Sequence, residues 1–234
     1  MATDATVVTS TSTLSSKTLV EHGYNVIASA YLAWSAPRPT TTRLHYLNKL
    51  LTLLTPDASI LELGCGAGVP CTQTLIKHGL SVTAVDISSA QIALAREHVP
   101  QATLIHADMI SLSFKPGTFD AIIAFYSIFH LPQEEQGMMI GKLSSWLKDG
   151  GWLLFNFTTD EGDKMMEDWM GVRMFWSGLG VDGNRNMLKK YGGGLRVVED
   201  EVVVEKVGRA EEKFHWVLAV KQDGKEDNLH TKAE

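Results

Sequence analysis

Apolar residues change their spacing along the chain, and the changes mark its elements. Over Thr18–Trp34 they recur at helical intervals, with Val20, Tyr24, Ile27, Tyr31 and Trp34 on one stripe, and Pro37 and Pro39 end the run. A second helix is expected over residues 40–54, with Leu44, Leu47, Leu50, Leu51 and Leu54 on one face. Short apolar runs then alternate with helical stretches. "SILEL", "SVTAVD", "ATLIHAD", "FDAIIAFY" and "WLLFNF" read as strands. Between them "GVPCTQTLIKHG", "SSAQIALAREHV" and "PQEEQGMMIGKLSSWLK" read as helices, the second with Ser88 placed to cap it. This alternation predicts βαβ units and a mostly parallel sheet. Residues 158–194 show no clean period and mix helix-like pieces, whereas "LRVVEDEVVVE" and "KFHWVLAV" close the chain as an antiparallel pair.

The remaining features narrow the class. Of 234 residues 44% are hydrophobic and 21% charged, which fits one sizeable globular domain over residues 19–222. Residues 1–18 hold ten Ser or Thr and are expected to be a disordered start, and residues 223–234 a polar tail. The start lacks the apolar core of a signal peptide and the arginines of a transit peptide, so a cytoplasmic protein is expected. A net charge of −6 argues against nucleic acid, and no run of 18 apolar residues predicts a membrane span. Cys65 and Cys71 are expected as reduced thiols. No His, Cys or Asp cluster has metal-ligand spacing, so no metal is expected.

The chemistry centres on "ILELGCGAGVP", which follows a strand and opens a helix. Ligands of open α/β sheets bind beyond the carboxyl ends of such strands. A phosphate loop needs Gly-Lys-Ser/Thr, and Val69-Pro70-Cys71 stands here instead. The dinucleotide pattern G-x-G-x-x-G fails whether counted from Gly64 or from Gly66, which disfavours a nicotinamide dehydrogenase. Acids surround the turn: Glu62 precedes it, Asp86 ends the next strand and Asp108 the one after. Asp86 is placed to accept ribose hydroxyls. Asp108 is placed either to accept from an exocyclic amine or to cap its own loop, and Met109 beside it offers an apolar face for a ring.

"LELGCGAG", "VDIS", "HADM", "FDAIIAFYSIFHL" and "LKDGGWLL", in this order and spacing, resemble the class I S-adenosylmethionine-dependent methyltransferases. The resemblance is tight over about residues 58–158 and extends to small-molecule enzymes, fungal secondary-metabolite methyltransferases among them. It implies a Rossmann-like α/β fold, with a seven-stranded sheet of order 3-2-1-4-5-7-6, strand 7 antiparallel, and helices on both faces. It also implies S-adenosylmethionine as cofactor, with S-adenosylhomocysteine as product. Gly64, Cys65 and Gly66 would then approach the methionine part, and Glu62 would favour its ammonium. Asp86, Ile87 and Gln91 would hold the ribose and adenine side, Asp108 and Met109 would meet the adenine edge, and Phe125 would lie at the methionine end.

Residues 19–55 resemble a helical lid, in which Tyr24 and Tyr31 would close over cofactor and substrate or simply pack. Residues 159–194 are expected as a substrate cap, with Trp169, Met174, Phe175 and Trp176 as an apolar wall or as the cap's own core. His130 stands where a general base is needed, or where a histidine would fix the local turn. The implied function is methyl transfer to an O, N or S atom of a small, partly apolar acceptor. The rival is a binding module that keeps the cofactor without transfer or uses it in another reaction. The oligomeric state stays open.

Overall fold

The computed structural model describes residues 15–36, 41–208 and 210–222. Its main sheet contains β1 (Ser59–Leu63), β2 (Ser81–Asp86), β3 (Thr103–His106), β4 (Phe119–Ala124), β5 (Leu147–Thr158), β8 (Leu195–Val207) and β9 (Ala210–Lys221). Their spatial order is β3-β2-β1-β4-β5-β9-β8. Strands β1 to β5 pair in parallel, and β9 runs antiparallel to both β5 and β8. Counting only this sheet, the order is the expected 3-2-1-4-5-7-6 with an antiparallel seventh strand. The strand order reverses between β1 and β4, which places a crevice at the carboxyl ends of those strands.

Successive residues of the central strands serve opposite faces. Ile60, Ala121, Ile123 and Leu154 pack with Tyr46, Leu47 and Leu50 of α2 (Thr42–Leu51), Leu75 of α3 (Cys71–Lys77) and Ile92 of α4 (Ser89–His98). Leu61, Ile122, Leu153 and Phe155 pack on the other face, against Met139, Ile140 and Leu143 of α5 (Gln133–Trp146) and Met187 and Leu188 of α6 (Gly180–Tyr191). Ser88 caps α4 as expected, its hydroxyl accepting from the Gln91 N–H.

Two expectations change. The polar start ends sooner, because the Ser15 hydroxyl accepts from Thr18 N and α1 (Ser16–Ser35) begins at Ser16. Residues 1–14, the tail 223–234, and Pro37 and Pro39 lie outside the described residues. The aperiodic stretch contains a hairpin, β6 (Glu161–Trp169) and β7 (Val172–Leu179), ahead of α6. It turns at Met170-Gly171, where φ is 55° and 88°, the two positive values of a tight hairpin loop. Lys164, Met165, Met166 and Glu167 are all exposed on β6, so no alternation betrays the strand.

Helix α1 and the hairpin pack on each other. Leu19, Val20 and Ile27 of α1 meet Met174 and Phe175 of β7, with Tyr24, Tyr31, Trp169 and Trp176 around them. Gly23 permits the contact: a Cβ there would lie 2.8 Å from Met174 Cε and 3.2 Å from the Arg173 carbonyl oxygen.

Candidate active site

The turn after β1 is drawn over the sheet by its neighbour strand. The N–H groups of Gly64 and Cys65 both donate to the Val85 carbonyl, at 2.8 and 3.0 Å. Gly66 N–H donates to Asp86 Oδ2 at 2.8 Å, and Ser88 N–H to Asp86 Oδ1 at 2.8 Å. One carboxylate therefore joins the glycine turn to the start of α4. Two oxygens offer about four lone-pair sites, more than these N–H groups fill, which leaves room for a hydroxyl donor. Burial pushes the Asp86 carboxyl above its usual range, while the donated N–H bonds hold it down.

Two adjoining cavities flank this turn. The larger is open to solvent and lies over the glycine turn and the carboxyl ends of β2 and β4. It brings together Tyr24, Tyr31, Gly64, Gly66, Asp86, Ile87, Gln91, Asp108, Met109, Phe125 and His130 from the predicted set, with Lys17, Tyr126 and Ser127 added. The second, about 430 Å³, is lined by Glu62, Cys65 and Arg43, and shares Tyr31, Gly64, Gly66 and Phe125 with the first. Trp169, Met174 and Trp176 do not line the larger cavity. Met174 is wholly buried in the contact between α1 and the hairpin; Trp169 lies beside Tyr24 and Tyr31, with ring centroids 5.7 and 5.8 Å away, and Trp176 lies 5.8 Å from Trp169.

Several partners decide what each group can do. Gln91 is 1% exposed, and neither its amide nitrogen nor its amide oxygen has a partner. An unpaired buried amide costs free energy, so this side chain marks a place for a polar ligand. Asp108 serves its own loop, with Oδ1 accepting from Ile110 N–H at 3.0 Å, and its Oδ2 lies 2.9 Å from Lys17 Nζ. Lys17 also reaches Glu135 at 3.0 Å, and the hydrogen bond to Asp108 leads in raising its pKa. Asn25 Oδ1 accepts from Ser88 Oγ at 2.8 Å and Ala90 N–H at 3.1 Å, a second tie from α1 to the site.

His130 ends a short turn, Ile128–His130. Its Nδ1 lies 2.7 Å from the Phe175 carbonyl oxygen and its Nε2 3.0 Å from Tyr24 Oη. A carbonyl only accepts, so Nδ1 carries the proton and the Tyr24 hydroxyl donates to Nε2. Burial in this apolar setting pushes the imidazole down to about 4, which keeps it neutral. Gln136 and Gln133 likewise donate to the Ser177 and Gly178 carbonyls, so three side chains after β4 hold the free edge of β7.

Sequence reasoning missed Arg43. It sits on the stripe of α2 that also carries Leu47 and Leu50, an odd place for a charge and the one signal available. None of the ion pairs among the described residues involves it. Its neighbours are the Tyr31 hydroxyl, which is hydrogen-bonded to it, and the Tyr126 ring, 5.6 Å from Cζ. Opposite it Glu62 is buried, accepts from Thr72 Oγ1 at 2.6 Å, and is pushed up to about 7 by desolvation. A carboxyl with a raised folded pKa binds its proton more tightly folded than unfolded. Stability thus falls as pH rises from the unfolded value toward 7. Between pH 5 and pH 7 the wild type should lose about 2 kcal/mol more than Glu62→Gln in urea unfolding. Parallel pH profiles would contradict this account of Glu62.

Among the described residues no group of His, Cys, Asp and Glu is placed to hold a metal ion, and no helix is long and apolar enough to cross a membrane. Cys65 and Cys71 are free and buried, and burial raises both thiols.

Residues 60–151 match the methyltransferase domain family. The ubiquinone biosynthesis O-methyltransferase of Coxiella burnetii is 33% identical over 118 residues, 49% of this chain and 48% of the relative. The chain spans about half the length of the curated relatives it matches. A methyltransferase from Methanosarcina mazei, described as SAM-dependent, superposes with TM-score 0.66 at 19% identity, covering 78% of this chain and 98% of that one. The magnesium protoporphyrin IX methyltransferase of Synechocystis PCC 6803, solved with bound SAM, gives TM-score 0.66 at 18% identity over 91% and 100% of the two chains. The matched segment and the fold agree: residues 60–151 match a methyltransferase domain, on a fold that the chain shares with these solved structures.

Proposed function

We propose that this chain binds S-adenosylmethionine and transfers its methyl group to an O, N or S atom of a small, partly apolar molecule. The carrying observation is the second cavity, where Glu62 and Arg43, the latter in no ion pair among the described residues, face the same glycine turn. An amino-acid zwitterion supplies the missing partners: its carboxylate for Arg43 and its ammonium for Glu62. The larger cavity suits the nucleoside, with Asp86 and the unpaired Gln91 amide for the ribose and Ile87, Asp108 and Met109 for adenine. When bound, the sulfonium supplies an electrophilic methyl group. The chain's own task is to hold acceptor and donor in line and exclude water, a contribution worth roughly 7–11 kcal/mol in well-oriented systems.

The α1–α2 segment acts as a lid in this reading, and the β6–β7 hairpin as a cap over the acceptor. The Coxiella relative, by name an O-methyltransferase of ubiquinone biosynthesis, is consistent with a small acceptor. The net charge of −6 favours such an acceptor over nucleic acid, and the reading is of a cytoplasmic enzyme that needs no metal or membrane.

The test compares S-adenosylhomocysteine with 5′-methylthioadenosine, which lacks the amino-acid end. Arg43→Gln should weaken the first about ten- to hundredfold, the range of a charge-assisted hydrogen bond, and leave the second unchanged. Equal losses for both ligands would remove Arg43 from the methionine end.

A further inference from the structure

The lid, the post-β4 turn and the hairpin meet at one hydroxyl, Tyr24 Oη. It gives its proton to His130 Nε2 at 3.0 Å, because His130 Nδ1–H is committed to the Phe175 carbonyl at 2.7 Å. The lone pairs of Tyr24 Oη are what this dyad can offer a ligand, and both residues line the larger cavity beside Gly64 and Phe125. Tyr126 and Ser127, nearby, donate to Glu205 and to the Leu63 carbonyl. Rings line the cavity around the dyad: Tyr31, edge-to-face with Tyr24 at 5.4 Å, and Phe125 and Tyr126. The cavity's ionic groups Lys17 and Asp108 pair with each other, and the Asp86 carboxylate is tied to the turn N–H groups.

We propose that the acceptor is a planar aromatic ring bearing a hydroxyl, and that Tyr24 Oη is the group that receives this hydroxyl, with His130 as the final seat of its proton. The proposal rests on the methyltransferase reading above. A flat ring enters among edge-to-face rings by exchanging one aromatic contact for another. A carboxylate or phosphate there would face oxygen lone pairs with no proton between.

The proton balance is closed. The acceptor O–H bond breaks and its proton forms a new bond to Tyr24 Oη. The proton that Tyr24 held passes to Nε2, leaving neutral tyrosine and an imidazolium. The acceptor oxygen keeps the electron pair of the broken O–H bond for its new bond to the methyl carbon, whose bond to sulfur breaks and leaves its electron pair on sulfur. The site gains one positive charge at His130 as the sulfonium charge is lost, so its total is unchanged.

The experiment uses the full chain and Tyr24→Phe, each first titrated with S-adenosylhomocysteine and then held saturated with it. Phenol and anisole, the same ring with the hydroxyl proton replaced by methyl, are titrated into both complexes by calorimetry. The wild type should prefer phenol by about tenfold, and Tyr24→Phe should reduce the preference to below about threefold. Equal affinities in the wild type, no binding of phenol, or a preference that survives in Tyr24→Phe would overturn the proposal. Absence of S-adenosylhomocysteine binding by the wild type would instead overturn the methyltransferase reading beneath it.

Discussion

Gly64→Ala is expected to cost about 2–5 kcal/mol of stability, from about 1–2 kcal/mol for a left-handed backbone and about 1–3 kcal/mol for overpacking. Gly64 has φ of +72°, and a Cβ on it would lie 2.5 Å from Ser127 Cβ. Ser127 has little room to yield, since its hydroxyl donates to the Leu63 carbonyl at 3.0 Å in the buried floor of the site. Gly79 provides the control. Its φ is +79°, yet nothing lies within 4 Å of where its Cβ would stand. Gly79→Ala should therefore show only the backbone part, about 1–2 kcal/mol. Urea denaturation of both variants separates the two contributions, and equal losses would show that the approach of Ser127 to the turn is not a constraint.

Asp86→Asn is expected to weaken S-adenosylhomocysteine by about ten- to hundredfold, or 1.5–3 kcal/mol. The carboxylate accepts from Gly66 N–H through one oxygen and from Ser88 N–H through the other. An amide offers a single oxygen, so its NH2 must face one of these donors. Either the glycine turn or the start of α4 then loses its acceptor, and the ribose hydroxyls lose a charge. The effect acts on the cavity's shape as well as on direct contact. Asp120→Asn is the comparison. Asp120 accepts from Ser59 N–H at 2.8 Å and pairs with Lys148, at the far end of β1 from the turn. It should lower stability and leave ligand affinity in place. Calorimetry on the pair checks this, and an Asp86→Asn affinity equal to wild type would remove Asp86 from the binding site.

The strands that were legible carry an apolar or alternating pattern of their own, whether buried, as in β1, or largely exposed, as in β8. Ser59–Leu63 and Ser81–Asp86 run through the interior, and their apolar stretches end where the strands end. The turn at Gly64–Gly68 and the acids at Glu62, Asp86 and Asp108 could be read because their chemistry is local to each strand end. The hairpin could not. Strand β6 is exposed on both faces, and its tight turn uses Met170 where Asn or Asp would have signalled it. What holds the hairpin is distant in sequence: the side chains of His130, Gln133 and Gln136, and the face of α1 opened by Gly23. Arg43 escaped for a similar reason, since its cavity is made by β1, the glycine turn and α1 together. Local pattern leaves Trp169 and Trp176 as either a wall of the site or part of the cap's own core, and the structure packs both against the α1–β7 cluster, Trp169 beside Tyr24 and Tyr31. The pairing of Lys17 with Asp108 and Glu135 likewise depends on where α1 crosses the sheet, which no local pattern carries.

The central claim is that the acids and Arg43 around the glycine turn select a sulfonium nucleoside over a dinucleotide. Titration calorimetry of the full chain with S-adenosylmethionine, S-adenosylhomocysteine and NAD tests it most directly. The account predicts one-to-one binding of the first two and no heat of binding with NAD. Binding of NAD with no response to either adenosyl ligand would contradict it.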